Sequence, residues 1–325
     1  MQRKSCHFIE HGLVFTWHEV LTCCLYQSGD RKNVLFSDYF GNKNFSLEYI
    51  LNKKDIIRQQ FQNGKIFSGC INCHNLEEKD WDENNYINVI YISHWTKCNC
   101  NCFYCYYDGG KKFFQKFKNK DILPLLKEMH KNNILKNDGY IVITGGEPTE
   151  LNELDKIIEF FIKNNENKIV LNSSGIKYKK SIEKALKKDI MELTVSIDSA
   201  DRGLYKKIKR IDKYNQVIKN IKKYVKAQNN NKKGVRLKYI ILPGVNDTIE
   251  NLQKWINLCI NLNVKHIILD IETNYYLHNK NNIPLHIYEM IKHAEEEAEK
   301  NNLEISYYSH VSQIKHEMNK GKTNE

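Results

Sequence analysis

The 325-residue sequence has no run approaching the ~20 consecutive apolar residues needed to span a bilayer, which argues against a membrane-embedded role. Its first residues, MQRKSCHFIEHG, lack the continuous apolar region and small-residue cleavage site of a secretory signal, leaving the cytoplasm as the expected compartment. Thiols stay reduced there, so the ten cysteines point to metal or redox chemistry rather than to a disulfide framework. Arginine is scarce. Lysine supplies 44 of the 50 basic residues and is spread along the whole chain, so the net charge of +11 reads as a solvated surface and nucleic acid is not the expected partner. No internal repeat stands out, and the one low-complexity stretch, AQNNNKKG at 227–234, reads as a polar turn before a strand.

From residue 86 onward the chain is rhythmic. Short β-branched runs (YINVIYIS from 86, GYIVIT from 139, KIVLN from 168, MELTVSID from 191, VRLKYIIL from 235, KHIILDI from 265) alternate with lysine-studded segments of helical apolar spacing, and LEISYY adds a final short strand. Such alternation predicts parallel strands joined by right-handed crossovers, as in barrels and doubly wound sheets, where chemistry gathers at the C-terminal strand ends. Polar motifs fall at those ends: SHWTKC, TGGEPT, NSSG and SIDS follow the first four runs. Residues 1–85 lack this rhythm and hold five of the ten cysteines, so they read as a separate cysteine-rich module. The core is expected over 86–310 and a C-terminal tail over 311–325.

HWTKCNCNCFYCYYDGG, residues 94–110, concentrates four cysteines. Cys98, Cys102 and Cys105 form C-x3-C-x2-C directly after a predicted strand, and three thiolates so spaced can ligate three irons of one cubane, leaving the fourth iron open. Cys100 falls outside that spacing. A zinc ribbon built from Cys70-x2-Cys73 and Cys102-x2-Cys105 would strand Cys98, and its two pairs lie farther apart than the usual 15–20 residues.

On these residues the sequence resembles the radical S-adenosylmethionine enzymes, whose signature carries an aromatic residue before the third cysteine, here Tyr104. The resemblance implies a partial (β/α)6 barrel in an α/β fold, and a [4Fe-4S] cluster on Cys98, Cys102 and Cys105. S-adenosylmethionine would chelate the open iron and be cleaved by one electron to methionine and a 5′-deoxyadenosyl radical. TGGEPTE is similar to the family's GGEP motif, so Gly145, Gly146, Glu147 and Pro148 are expected to hold the cofactor's amino group. Asn172, Ser173, Ser196 and Asp198 are expected to meet its ribose and carboxylate, although Ser and Asp also serve as helix N-caps. KYIILPGVND resembles the stretch that lies along the adenine, although its apolar residues would equally serve as barrel core. Lys238 either meets the cofactor carboxylate or faces solvent according to strand register, and Glu272 is a candidate substrate contact.

The earlier cysteines resemble the auxiliary-cluster pattern of SPASM-type enzymes, placed here before the core instead of after it. Cys6, Cys23 or Cys24, Cys70 and Cys73 would hold a second [4Fe-4S] cluster, with zinc as the alternative. Cys259 reads as a core thiol. The function implied is an oxidoreductase acting on a peptide or protein side chain, supplied with electrons by a reductase, flavodoxin or ferredoxin. Alternatives are a glycyl-radical activase, an enzyme acting on a small metabolite, sugar or tRNA base, and, in another class, a zinc-stabilised nucleic-acid-binding protein.

Overall fold

In the computed structural model the described residues are 4–23, 33–37, 42–71, 73, 75–82, 84–105, 121–164, 168–228 and 234–321. The chain divides into two compact units, residues 1–97 with 111–170 and residues 98–110 with 171–325.

The first unit contains α1 (His7–His11), β1 (Gly12–Phe15), β2 (Glu19–Leu21), β3 (Val34–Ser37), α2 (Leu47–Gln62), β4 (Ile87–Ile92), α3 (Leu123–Lys131), β5 (Leu135–Ile143) and α4 (Leu154–Asn164). Its strands run in the order β3-β2-β1-β4-β5. β1 to β3 form antiparallel pairs, β4 and β5 lie parallel, and β1 runs parallel to β4 with Val14 opposite Tyr91 and Phe15 opposite Ile92. Ser46 caps α2 by accepting from Tyr49 N at 3.1 Å, and Leu47, Ile50, Lys54, Ile57 and Phe61, spaced three and four apart, form its buried face.

β6 (Lys168–Ser173) crosses the division between the units. The second unit continues with α5 (Lys180–Lys187), β7 (Met191–Ser196), α6 (Arg202–Lys209), α7 (Tyr214–Ala227), β8 (Val235–Ile241), α8 (Ile249–Asn261), β9 (His266–Ile271), α9 (Thr273–Asn279), α10 (Leu285–Lys300), β10 (Glu304–Tyr307) and α11 (Ser309–Gly321). β7 to β10 are parallel neighbours in sequence order, as the alternating pattern predicts. Leu193, Val195, Leu237, Tyr239, Ile267 and Leu269 make one buried apolar face. Tyr239 on that face lies 5.2 Å from the Trp255 ring of α8, so this is the helix-covered side.

Within residues 1–85, expected as a cysteine-rich module, β1 forms a parallel ladder with β4. α11 runs through Gly321 and buries Val311 and Ile314 completely, three positions apart on one face.

Candidate functional site

In the second unit the Cys98–Cys105 loop is held from several directions. Asn101 N donates to Lys209 O at 3.1 Å and Phe103 N to Ile208 O at 3.2 Å. These carbonyls close α6, which Arg210 ends with φ +52°, so they have no onward helical partner. Ser174 Oγ donates to Asn99 Oδ1 at 3.0 Å. The Tyr104 hydroxyl donates to Asp198 Oδ2 at 2.6 Å, and Lys209 Nζ donates to that same oxygen and to Tyr104 Oη at 2.8 Å. Asp198 Oδ1 accepts from Ile240 N at 3.0 Å. Asp198 and Lys209 are buried, at 0% and 3% exposure. Burial pushes Lys209 toward the neutral amine, but the Asp198 carboxylate, with Tyr104 and the neighbouring thiols, outweighs it and holds the pKa well above the usual lysine value.

Among the four loop thiols, Cys100 is buried while Cys98, Cys102 and Cys105 are half-buried. The Cys100 amide donates to Cys98 Sγ at 3.3 Å. Hydrogen bonding from the Cys100 thiol lowers the Cys102 pKa to about 6; the Lys209 charge adds to this and burial opposes it. The same hydrogen bonds to Cys102 and Cys98, together with burial, push Cys100 far up. The loop thus joins an acidic thiol to a proton-retaining donor, and the half-buried trio offers three soft ligands for iron. Among the described residues no three His, Cys, Asp or Glu side chains converge as around one ion. A cubane does not demand that arrangement, since each cysteine takes a different iron.

A cleft of about 280 Å³ opens beside this loop, lined by Phe103, Tyr104, Leu242, Pro243, Glu272, Asn274 and Tyr275. Its walls suit a flat, partly apolar group. Glu272 is occupied in capping α9, accepting from Asn274 N at 3.0 Å and from Tyr275 N.

Ser196 and Lys238 share the sheet face opposite the helix-covered side. Ser196 pairs in register with Lys238, so both lie on the same side of the sheet as Arg236 and Thr194, which bond at 3.0 Å. Lys238 Nζ sits 4.8 Å from the Tyr308 ring centroid, and the Tyr308 hydroxyl donates to Asn172 Oδ1 at 3.0 Å. Ser173 turns to its own loop, accepting from Gly175 N at 3.0 Å. Parallel sheets covered on both sides are apolar on both faces; a polar face is the side left for a ligand. The sequence readings passed over Lys209, Asn246 and Tyr308. Asp201 caps α6, its carboxylate accepting from Leu204 N at 2.7 Å, and nothing in the sequence marks Lys209 among 44 lysines.

In the first unit, the Gly145–Pro148 turn packs against the residues that lead into Cys98. Gly146 N donates to Trp95 O at 2.6 Å and Glu147 N to Lys97 O at 2.8 Å. Gly145 takes φ +106°, and a Cβ on Gly146 would meet Lys97 O at 2.4 Å, so both positions need glycine. Glu147 Oε1 accepts from Thr149 N and Oγ1 at 3.1 and 2.6 Å, fixing the exit through Pro148.

Also in the first unit, Cys6, Cys23, Cys70 and Cys73 line one small pocket with Ile9, Gly69, Asn75 and Leu76. Cys24 lies outside the described residues. Burial raises the Cys6 pKa, with backbone hydrogen bonds from Ile9 and Phe8 opposing. Four thiols brought from segments far apart in sequence into one pocket fit a metal–sulfur centre by donor chemistry. Cys259 is fully buried in α8, as expected of a core thiol.

A family model of the Radical SAM superfamily matches residues 92–256, just over half of the chain. The chain belongs to the radical SAM superfamily. It is 32% identical over 179 residues to "Probable GTP 3',8-cyclase" of Methanococcus aeolicus, covering 53% of this chain and 57% of that protein. It is 27% identical over 176 residues to GTP 3',8-cyclase of Clostridium botulinum, covering 53% and 52%. The match thus spans little more than half the length of these relatives. Among solved structures, Streptococcus suis SuiB bound to S-adenosylmethionine is similar with a TM-score of 0.55 at 13% identity, over 81% of this chain and 56% of SuiB. That likeness shows the fold, the α/β parallel-stranded class of a partial (β/α)6 barrel. No helix among the described residues is long and apolar enough to cross a membrane.

Proposed function

We propose that this chain is a radical S-adenosylmethionine oxidoreductase with two iron–sulfur centres that removes hydrogen from a peptide or protein side chain. One observation carries the two-centre reading: Cys6, Cys23, Cys70 and Cys73 line a single pocket whose lining includes none of the three signature cysteines. When bound, S-adenosylmethionine and the first cluster supply a 5′-deoxyadenosyl radical that takes a hydrogen atom from substrate.

The chain's own residues divide the remaining work. Cys98, Cys102 and Cys105 would hold the first [4Fe-4S] cluster, with the acidic Cys102 thiol already favouring the thiolate. Gly145, Gly146, Glu147 and Pro148 would hold the amino group of S-adenosylmethionine. Phe103, Tyr104, Leu242 and Pro243 line a cleft suited to its adenine. Asn172, Ser196 and Lys238 present donors and a cation for ribose and carboxylate, whereas Ser173 and Asp198 support the surrounding loops through the bonds described above. Cys6, Cys23, Cys70 and Cys73 would hold a second [4Fe-4S] centre, whose chemistry is to accept the electron that substrate gives up as it also releases a proton. A reductase, flavodoxin or ferredoxin would supply the first electron.

A second substrate reading is supported by the relatives named as GTP 3',8-cyclases, namely hydrogen removal from a purine nucleotide. Those matches span about half of each chain, so they bear on shared chemistry more than on the whole protein's substrate.

The test begins with anaerobic reconstitution and reduction. About eight irons per chain and release of 5′-deoxyadenosine support the proposal, and alanine at Cys98, Cys102 or Cys105 should stop that release. Colourless protein containing zinc would refute it. Incubation with GTP or with a co-expressed candidate peptide, followed by mass spectrometry, then separates the substrate readings: loss of two hydrogens from the peptide favours the first, and conversion of GTP the second.

A further inference from the structure

We propose that Lys209 is a positioning residue for the radical-generating cluster: paired with Asp198, its ammonium fixes the Cys98–Cys105 loop and balances charge beside the iron site. The proposal rests on the reading that Cys98, Cys102 and Cys105 ligate that cluster. Lys209 grips the loop twice, by its main-chain oxygen on Asn101 N and by Nζ on the Tyr104 hydroxyl, one residue before Cys105. α6 stops at this residue, so its closing carbonyls point at the loop amides rather than at a further turn.

A lysine 3% exposed is costly to keep charged without a partner, and the fully buried Asp198 carboxylate is that partner. Asp198 is itself anchored by Ile240 N, so the pair is fixed to β8 and moves with the strand ends. Two opposite charges are therefore held next to a centre whose working step is the gain of one electron. A cation there favours the reduced centre and a carboxylate disfavours it, most strongly where water is excluded. Scaffolding alone predicts no such opposition of sign.

The experiment uses the full-length reconstituted protein and its Lys209→Met, Asp198→Asn and doubly substituted forms. Iron content is measured first, then the midpoint potential of the Cys98–Cys105 cluster by a redox titration followed by electron paramagnetic resonance. Lys209→Met should lower the potential, Asp198→Asn should raise it, and the double variant should return close to the unaltered protein. If the single variants lose iron, the double variant, which leaves no lone buried charge, should regain it. Shifts of the same sign, no shift in either single variant, or iron loss in all three forms would overturn the proposal. Absence of a cluster at these cysteines in the unaltered protein would instead overturn the ligand reading on which it rests.

Discussion

The side-chain amide of Asn246 donates to the main-chain oxygen of Asp198 at 2.9 Å, joining the loop after β8 to the end of β7. The same nitrogen donates to Ile240 O at 2.9 Å, and Oδ1 accepts from Leu242 N at 2.7 Å. Asn246 is fully buried, so Asn246→Ala leaves three main-chain groups without their partner. The expected loss is about 2–4 kcal/mol of stability, read as a lower urea midpoint of cluster-free protein. A loss below about 1 kcal/mol would mean that water or a rearranged loop replaces the amide.

Gly146→Ala should damage the cofactor turn rather than the fold at large. The new Cβ would lie 2.4 Å from Lys97 O, forcing aside the segment that leads into Cys98. The expected cost is about 1–3 kcal/mol with sharply reduced 5′-deoxyadenosine formation, measured by chemical denaturation and chromatography. Undiminished formation in this variant would show that the turn tolerates displacement.

The extra thiol gives a contrast. Cys100→Ala removes a buried hydrogen-bond donor to Cys102 and should leave the iron count and most 5′-deoxyadenosine formation in place. Cys70→Ala should instead lower the count from about eight irons to about four while the first cluster remains. Loss of all iron in Cys100→Ala would make that residue a ligand.

Lys54 confers a pH dependence on the first unit. Its ammonium is buried against Ile9 O at 2.7 Å and Gly12 O at 3.0 Å, and burial draws its pKa down from 10.5 to about 7, with Glu10 and the thiols of Cys6 and Cys23 opposing. Between about pH 7 and 10.5 the unfolded chain binds a proton that the folded chain lacks, so this residue's contribution to stability rises with pH across that window and is flat below it. The full span is worth on the order of 5 kcal/mol at most. Urea midpoints of cluster-free protein at pH 7 and 9.5 should rise less with pH in Lys54→Met than in the unaltered chain. Equal slopes would contradict the assignment.

The strand rhythm from Ile87 to Ile271, the three-cysteine loop and the GGEP turn were legible because each is written in neighbouring residues. Burial alternates along a strand, and motif spacing survives without tertiary knowledge. α6 escaped notice as RGLYKKIK, since five of its eight residues are glycine or basic and only Leu204, Tyr205 and Ile208 mark its apolar side. The charge pairing of Lys209 depends on Asp198 eleven residues away, a distance at which sequence carries no geometric signal. Cys23 lines the pocket, whereas Cys24 lies outside the described residues, so the choice between these neighbours rests on more than the sequence. The register of Lys238, opposite Ser196, is a strand pairing that a single sequence does not carry.

The pairing of Gly12–Phe15 with Ile87–Ile92 has a practical corollary for anyone trimming this protein. A version beginning near residue 86 would strip one side of that six-residue strand of its amide partners and expose a flat, β-branched border. Such borders recruit other chains. Material cut there is expected to precipitate or form mixed oligomers, however intact its cysteine loop.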